Sequence, residues 1–333
     1  MLLSVVVPCF NEQNGIDEFF RRTTKACEMI GLDLEFVFVN DGSTDATLEQ
    51  IMMLKSISCR IKIVDLSRNF GKEVALTAGL DHAAGDIVIP IDADLQDPPE
   101  IIPLMVSKWR DGYNVVYARR NSREGDSFLK RNTATLFYRL MRYVGGRVKI
   151  PENVGDFRLI DRKALDALLT FRERHRFMKG LFALVGFRQA SIDYSRERRF
   201  ADDTKWNYWK LWNLSLEGIT SFTTAPLRIS TYLGLMVAFL AFVYGAFIVL
   251  KAVLFGDPVG GFPSIIAIVT LLGGVQLVVL GIIGEYLARI FNETKERPLY
   301  FVQDIYDKQA AAEIYLIFRP TKQDAPSSTP TAG

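Results

Sequence analysis

Two carboxylates one residue apart, Asp92 and Asp94, open the run Asp92-Ala93-Asp94-Leu95-Gln96-Asp97-Pro98-Pro99, directly after the apolar stretch Asp86–Ile91. At the carboxyl end of a strand such a pair can engage a hard divalent cation and a sugar hydroxyl together. Mg2+ and Mn2+ prefer oxygen ligands, and the remaining positions are open to a diphosphate and water. The cation then neutralises charge building on a departing phosphate. An isolated Asp-x-Asp is frequent by chance and usually a solvated loop, so the strand before it and the prolines after it carry much of the weight. A second group, Asn153-Val154-Gly155-Asp156-Phe157-Arg158-Leu159, reads either as a surface turn or as part of the same chemistry. Cations for phosphates are concentrated at Arg119 and Arg120, at Lys130 and Arg131 opening a basic-aromatic stretch to Tyr143, and at Arg196, Arg198, Arg199 and Lys205. Arginine suits bidentate phosphate contact, although any one of these side chains could be a solvated surface charge.

The elements that must position these residues are legible in the first 120 residues. Strands are expected at Leu3–Val7, Leu34–Val39, Ile61–Leu66, Asp86–Ile91 and Asn114–Tyr117, with apolar centres suited to burial on both faces. Helices are expected over Glu12–Ile30 and Lys72–Ala83, and a third should open at Pro98-Pro99, since proline suits a first helical turn. This alternation predicts a mostly parallel α/β sheet with ligands beyond the carboxyl ends of its strands. There is no GxGxxG fingerprint and no P-loop, so the ordinary dinucleotide and ATP-binding readings lose support.

Two runs without a charged residue follow, Ile229–Leu250 and Pro258–Gly284. Each exceeds the roughly 20 residues needed to cross a bilayer. Arg228 precedes the first, and Arg289, Lys295 and Arg297 follow the second, so the positive-inside bias puts both outer flanks in the cytoplasm. The N-terminal run Leu2–Val7 stops at Pro8 and resembles a first strand more than a leader, which agrees with a cytoplasmic start. Trp206, Trp209 and Trp212 recur just before the first span and suit the headgroup boundary. The expected organisation is a catalytic domain over 1–205, an interfacial region over 206–228, spans at 229–252 and 259–287, and a cytoplasmic tail over 288–333 whose end is disordered. The short apolar run Ile314–Phe318 has no assigned role. A net charge of +2 gives no support to nucleic-acid binding. Cys9, Cys27 and Cys59 form no CxxC pair and there are only two histidines, so reduced core thiols are expected and a zinc site is not.

Four motifs in order resemble the family 2 glycosyltransferases of GT-A fold, in the branch acting on polyprenyl phosphates: Val7-Pro8-Cys9-Phe10-Asn11-Glu12, Val39-Asn40-Asp41-Gly42-Ser43-Thr44-Asp45, Arg68-Asn69-Phe70-Gly71-Lys72 and Asp92–Pro99. The bactoprenol glucosyltransferases, which also carry two C-terminal spans, are similar over about residues 4 to 300. The resemblance implies an α/β GT-A catalytic domain followed by two transmembrane helices. It implies inverting transfer of a hexose, with glucose from UDP-glucose favoured, to polyprenyl phosphate at the cytoplasmic face of the inner membrane. GDP-mannose and UDP-aminoarabinose donors stay open, as does a processive synthase, against which the missing QxxRW motif speaks. Pro8, Phe10 and Glu12 would line the nucleotide pocket, Val39 and Asp41 would contact the base, and Asp92 with Ala93 would meet the donor. Asp94 and Gln96 would hold Mg2+ or Mn2+; Asp94, Asp156 and Arg120 would be catalytic. Lys130, Arg131, Arg199 and Lys205 would bind the acceptor phosphate. Asp156 is not required as a base, because a phosphate monoester is largely dianionic at neutral pH. A homo-oligomer is expected.

Overall fold

The structure is a computed structural model that describes residues 1–57, 60–121, 151, 153–174, 176, 178–195, 225–255 and 261–307. The expected strands form β1 (Leu2–Cys9), β2 (Asp33–Asn40), β3 (Arg60–Leu66), β4 (Ile87–Pro90) and β5 (Val115–Arg120). Three more follow, β6 (Val154–Asp161), β7 (Gln189–Tyr194) and β8 (Val302–Tyr306). They make one sheet in the order β7-β5-β6-β4-β1-β2-β3-β8. β3, β2, β1 and β4 run parallel, and β7 is parallel to β5. β6 lies antiparallel between β4 and β5, and β8 antiparallel along β3.

Successive residues of β1 go to opposite faces, and both faces are buried: Val5 and Val7 join one core, Val6 the other. Helices α1 (Ile16–Cys27), α2 (Thr47–Ile57) and α4 (Ile102–Arg110) cover the first face through Ile16, Phe19, Ile51, Ile102 and Met105. Helices α3 (Lys72–His82), α5 (Arg162–Leu169) and α6 (Met178–Leu184) cover the second through Ala75, Leu76, Leu165 and Leu181. The three-layer arrangement leaves the carboxyl ends of β1–β4 as one open edge. Helix α1 starts at Ile16, later than the pattern from Glu12 suggests, because residues 11–13 are engaged with the loop after β2. The Pro98-Pro99 start is a single 3-10 turn, Pro99–Ile101, that passes into α4. Cys9 and Cys27 are buried free thiols, and burial pushes the Cys27 thiol up to about 12.

Two long helices complete the described chain, α7 (Ala225–Phe255) and α8 (Phe262–Thr294). At 1.5 Å per residue they are about 45 Å and 50 Å long, beyond the ~30 Å hydrocarbon core of a bilayer. Their side chains are largely exposed, including Leu235, Phe239, Phe242, Leu271, Leu277 and Leu280. Both contain a stretch long and apolar enough to cross a membrane, Ser230–Phe247 and Leu271–Thr294. After α8 the chain returns to the catalytic sheet as β8. Arg174 N–H donates to Glu293 Oε1 at 2.8 Å, and Tyr300 Oη to Asp81 Oδ2 at 2.8 Å, fastening the end of the hairpin to the domain.

Candidate active site

The loops after β1 and β2 are joined by side chains of the two motifs. Ser43 Oγ accepts from Asn11 N–H at 3.1 Å, and Asn11 Oδ1 accepts from Thr44 N–H at 2.8 Å. Thr47 Oγ1 accepts from Glu12 N–H at 2.9 Å, and Gln13 Oε1 from Ala46 N–H at 3.0 Å. Asn40 at the tip of β2 donates to Asp65 Oδ1 at 2.7 Å, tying in the end of β3. Asp41, 2% exposed, accepts from Phe70 N–H at 2.7 Å and from Gly71 N–H at 2.9 Å. Its carboxylate therefore fixes the loop that ends in Lys72. Gly42 is required here twice over. Its φ is +64°, and a Cβ would lie 2.5 Å from Asn69 N.

The run after β4 alternates. Asp92, Asp94 and Gln96 are half-buried, whereas Ala93, Leu95 and Asp97 are buried. Leu95 holds this alternation at φ +57°, a left-handed conformation that costs a residue of its bulk about 1–3 kcal/mol. Asp94 Oδ1 accepts from Gln96 N–H at 3.1 Å, closing a tight turn at the cleft. Opposite, Asp156 lies at the start of β6. Lys72 Nζ joins the two sides, 2.6 Å from Asp92 Oδ2 and 3.2 Å from Asp156 Oδ2. Asp156 Oδ1 is buried with no hydrogen-bond partner among the described residues.

Burial opposes ionisation of Asp156, but Lys72, Lys179 and Arg158 outweigh it and hold its carboxyl below the ordinary range. Asp92 is pushed up, by burial first, with Lys72 acting against it and Asp156 with it. Burial likewise opposes the Lys72 charge, and Asp92 and Asp156 overcome it, keeping the ammonium protonated. Buried Arg158 donates to Gly155 O at 2.6 Å and lies 3.7 Å from the Phe182 ring centre, so it braces the Gly155–Asp156 start of β6. The arrangement is a half-exposed cation held between carboxylates from two halves of the sheet.

A divalent cation can be tested against these residues. Asp92 and Asp94 are half-buried and offer hard oxygen ligands, and Asp156 Oδ1 is an oxygen without a hydrogen-bond partner among the described residues. Among the described residues no three His, Cys, Asp or Glu side chains gather closely enough to hold an ion by themselves. The residues therefore fit a cation completed by ligand oxygens rather than a closed protein cage.

Residues 4–169 match glycosyl transferase family 2, and residues 225–290 match the GtrB C-terminal hairpin. An uncharacterized glycosyltransferase of Synechocystis sp. is 50% identical over 304 residues, spanning 91% of this chain and 95% of that protein. A prophage bactoprenol glucosyl transferase homolog of Escherichia coli is 48% identical over 306 residues, spanning 92% and 99%. The chain belongs to glycosyl transferase family 2. It is a glycosyltransferase with a GT-A catalytic domain followed by a helical hairpin. Among solved structures, glucosyl-3-phosphoglycerate synthase from Mycobacterium tuberculosis, crystallised with Mn2+, UDP-glucose and phosphoglyceric acid, matches with a TM-score of 0.46. The identity is 21%, covering 66% of this chain and 78% of that one.

Within this family 2 domain the expected site residues fall into distinct places. Lys72 brings Asp92 and Asp156 together, and Asp94 and Gln96 follow Asp92 in the same half-buried turn. Pro8 is half-buried, Phe10 is 45% exposed and Glu12 is half-buried at the rim by β1. Val39 is fully buried and Ala93 nearly so, which leaves only their main chains to meet a ligand. The two arginines of β5 part company: Arg119 pairs with Asp193 on the surface at 2.6 Å, and Arg120 turns inward. Lys130, Arg131, Arg199 and Lys205 lie outside the described residues, as do the tryptophans at 206, 209 and 212 and the run 314–318. Lys72, which ends the Arg68–Lys72 motif and opens the helix expected at Lys72–Ala83, is absent from the expected site residues. Its signal was its place at the first turn of α3, one strand connection away from Asp92.

Proposed function

We propose that this glycosyltransferase moves glucose from UDP-glucose to a polyprenyl phosphate, releasing UDP and giving a lipid-linked monosaccharide with inverted configuration. The observation that carries the reading is the division of the sheet at β4: the nucleotide-type motifs lie on β1, β2 and β3, and Asp156 comes from the other half. A donor seated over β1–β3 would present its anomeric carbon at Asp92 and Asp156, facing an acceptor from the β5–β6 side. The names of relatives such as the E. coli homolog support glucose and bactoprenol.

In this reading Phe10 and the joined loops after β1 and β2 bind the nucleoside. Asp92 orients the sugar with Lys72 as its counter-ion. The acceptor phosphate is already anionic, so its oxygen attacks without prior loss of a proton, and Asp156 orients rather than deprotonates it. Asp94, with Gln96, would hold Mg2+ or Mn2+, which when bound supplies charge neutralisation at the departing diphosphate. In the same reading the two apolar helices cross the inner membrane, and the basic flanks Arg228, Arg289, Lys295 and Arg297 favour a cytoplasmic catalytic domain and tail, with the domain limits expected above. Association into a homo-oligomer belongs to the same reading and is testable by cross-linking in membranes.

The deciding experiment incubates the purified full chain with undecaprenyl phosphate and, in turn, UDP-glucose, other UDP-sugars and GDP-mannose, following lipid-linked product and released nucleotide. UDP-glucose should be consumed best. Preference for GDP-mannose would sink the donor assignment, and product only with non-lipid acceptors would sink the acceptor. Asp94→Ala should abolish transfer, and full activity of the native chain in excess chelator would refute the metal role.

A further inference from the structure

Asp97 ends the same motif as Asp92 and Asp94 but belongs to its buried phase, at 4% exposure. A buried carboxylate is stable only with donors around it. It finds two, both from the far half of the sheet. Tyr194, the last residue of β7 and itself 4% exposed, donates its hydroxyl to Asp97 Oδ1, and Arg120 NH2 stands 3.5 Å from the same oxygen. Arg120 Nε also donates to Tyr194 Oη at 3.0 Å, closing a three-membered network at the end of β5.

Main-chain and ring contacts hold the network on its inner side. The Arg120 main-chain N–H donates to Asn153 O at 3.0 Å, and Asn121 N–H to Tyr194 O at 2.9 Å. The Tyr194 ring meets Phe157 edge-on at 6.4 Å. A Cβ on Gly155 would stand 3.1 Å from Arg120 NH2 and 3.9 Å from Asp97 Oδ2, so the residue before Asp156 is small where the guanidinium passes. The Arg120 side chain keeps 27% exposure, and the network takes its Nε–H and an N–H of NH2 out of five donors. The outer edge of the planar fork suits a phosphate. Arg120 stands in the half of the sheet without the nucleotide-type motifs.

We propose that Asp97 and Tyr194 are positioning residues that aim the Arg120 guanidinium across Gly155 at the phosphate of the acceptor. This rests on the acceptor being a phosphate monoester, as in the proposed function. Burial and Asp97 push the Tyr194 phenol well up, so it stays a donor to the carboxylate across the working pH range.

Tyr194→Phe removes one hydroxyl and keeps the ring. In the full chain it should raise KM for undecaprenyl phosphate by roughly fivefold to tenfold, about the effect of misdirecting one charge-assisted contact. KM for UDP-glucose should stay within about twofold. Gly155→Ala removes no polar group and crowds only the guanidinium, so it should give the same acceptor-selective rise even if Tyr194→Phe folds poorly; Arg120→Lys should not restore it. An equal rise in both KM values, or no rise in either variant, would overturn the proposal. A binding arm separates this from failure of the transfer reading. With a short polyprenyl phosphate and the matching polyprenyl alcohol as probes, the variants should weaken only the phosphate. Equal loss for both, or none, refutes the positioning role whether or not the chain transfers glucose.

Discussion

Lys72 holds Asp92 and Asp156 in one electrostatic unit, and each of the three depends on the others. Removing one partner leaves the other charges uncompensated in a partly buried group and frees them to shift. Lys72→Met should therefore lower kcat by about 10²-fold, the order expected when catalytic groups shift by an ångström. Its KM for nucleotide should change less; steady-state kinetics with varied donor checks this. Asp156→Asn should lose most turnover while UDP binding, read by calorimetry, stays near wild type, and near-normal turnover would exclude its role. Glu73, next to Lys72, offers a pH test. Burial first, then Asp156, push its carboxyl from an ordinary 4.5 to about 7, against Lys72, the Met178 N–H and Lys179. The folded state then holds this proton where the unfolded state has released it, so Glu73 makes stability fall as pH rises from about 4.5 to 7. Glu73→Gln should flatten that part of a melting-temperature profile.

Among the elements, the loop from Ser67 to Lys72 is held at both ends. Asp41 fixes Phe70 and Gly71, and Ser67 N–H donates to Phe301 O at 3.0 Å, in the segment between α8 and β8. Phe70 and Phe301 face each other with ring centres 6.5 Å apart. The helical hairpin and the loop leading to Lys72 are thus connected through a sheet edge. Gly42→Ala tests the other end of this arrangement. Its methyl would meet the Arg68–Asn69 backbone, which cannot yield as a flexible side chain does, and its φ is strained for alanine. Donor affinity should fall at least tenfold while α1, α3 and the hairpin remain folded, a result that nucleotide binding and circular dichroism together would read.

For the whole molecule, β8 constrains membrane topology. The chain leaves the catalytic domain before α7 and rejoins its sheet after α8, so both ends of the hairpin are on one side of any bilayer it enters. With two helices each longer than the hydrocarbon core, two crossings satisfy that constraint. An epitope inserted in the 256–260 connector should be reached from the face opposite to one at the N-terminus; accessibility of both from the same face would reject the spanning hairpin.

The parts of this protein fixed locally were legible in its residues. Short apolar runs gave β1 to β4 within a residue or two and β5 within three, and charge-free runs gave the two long helices. All of these follow from interactions between near neighbours. The tertiary structure alone decided that Asp156 would share Lys72 with Asp92, that Arg120 and not Arg119 would turn inward, and that Asp97 would be buried against Tyr194. It also brought β8 back to β3 across the whole hairpin. These contacts join residues 20 to more than 200 positions apart, through strand order and register. Register assigns each side chain to a face, and a single-residue shift reverses it. No periodicity in a strand names its neighbour, and so the site's cation became visible only in the folded sheet.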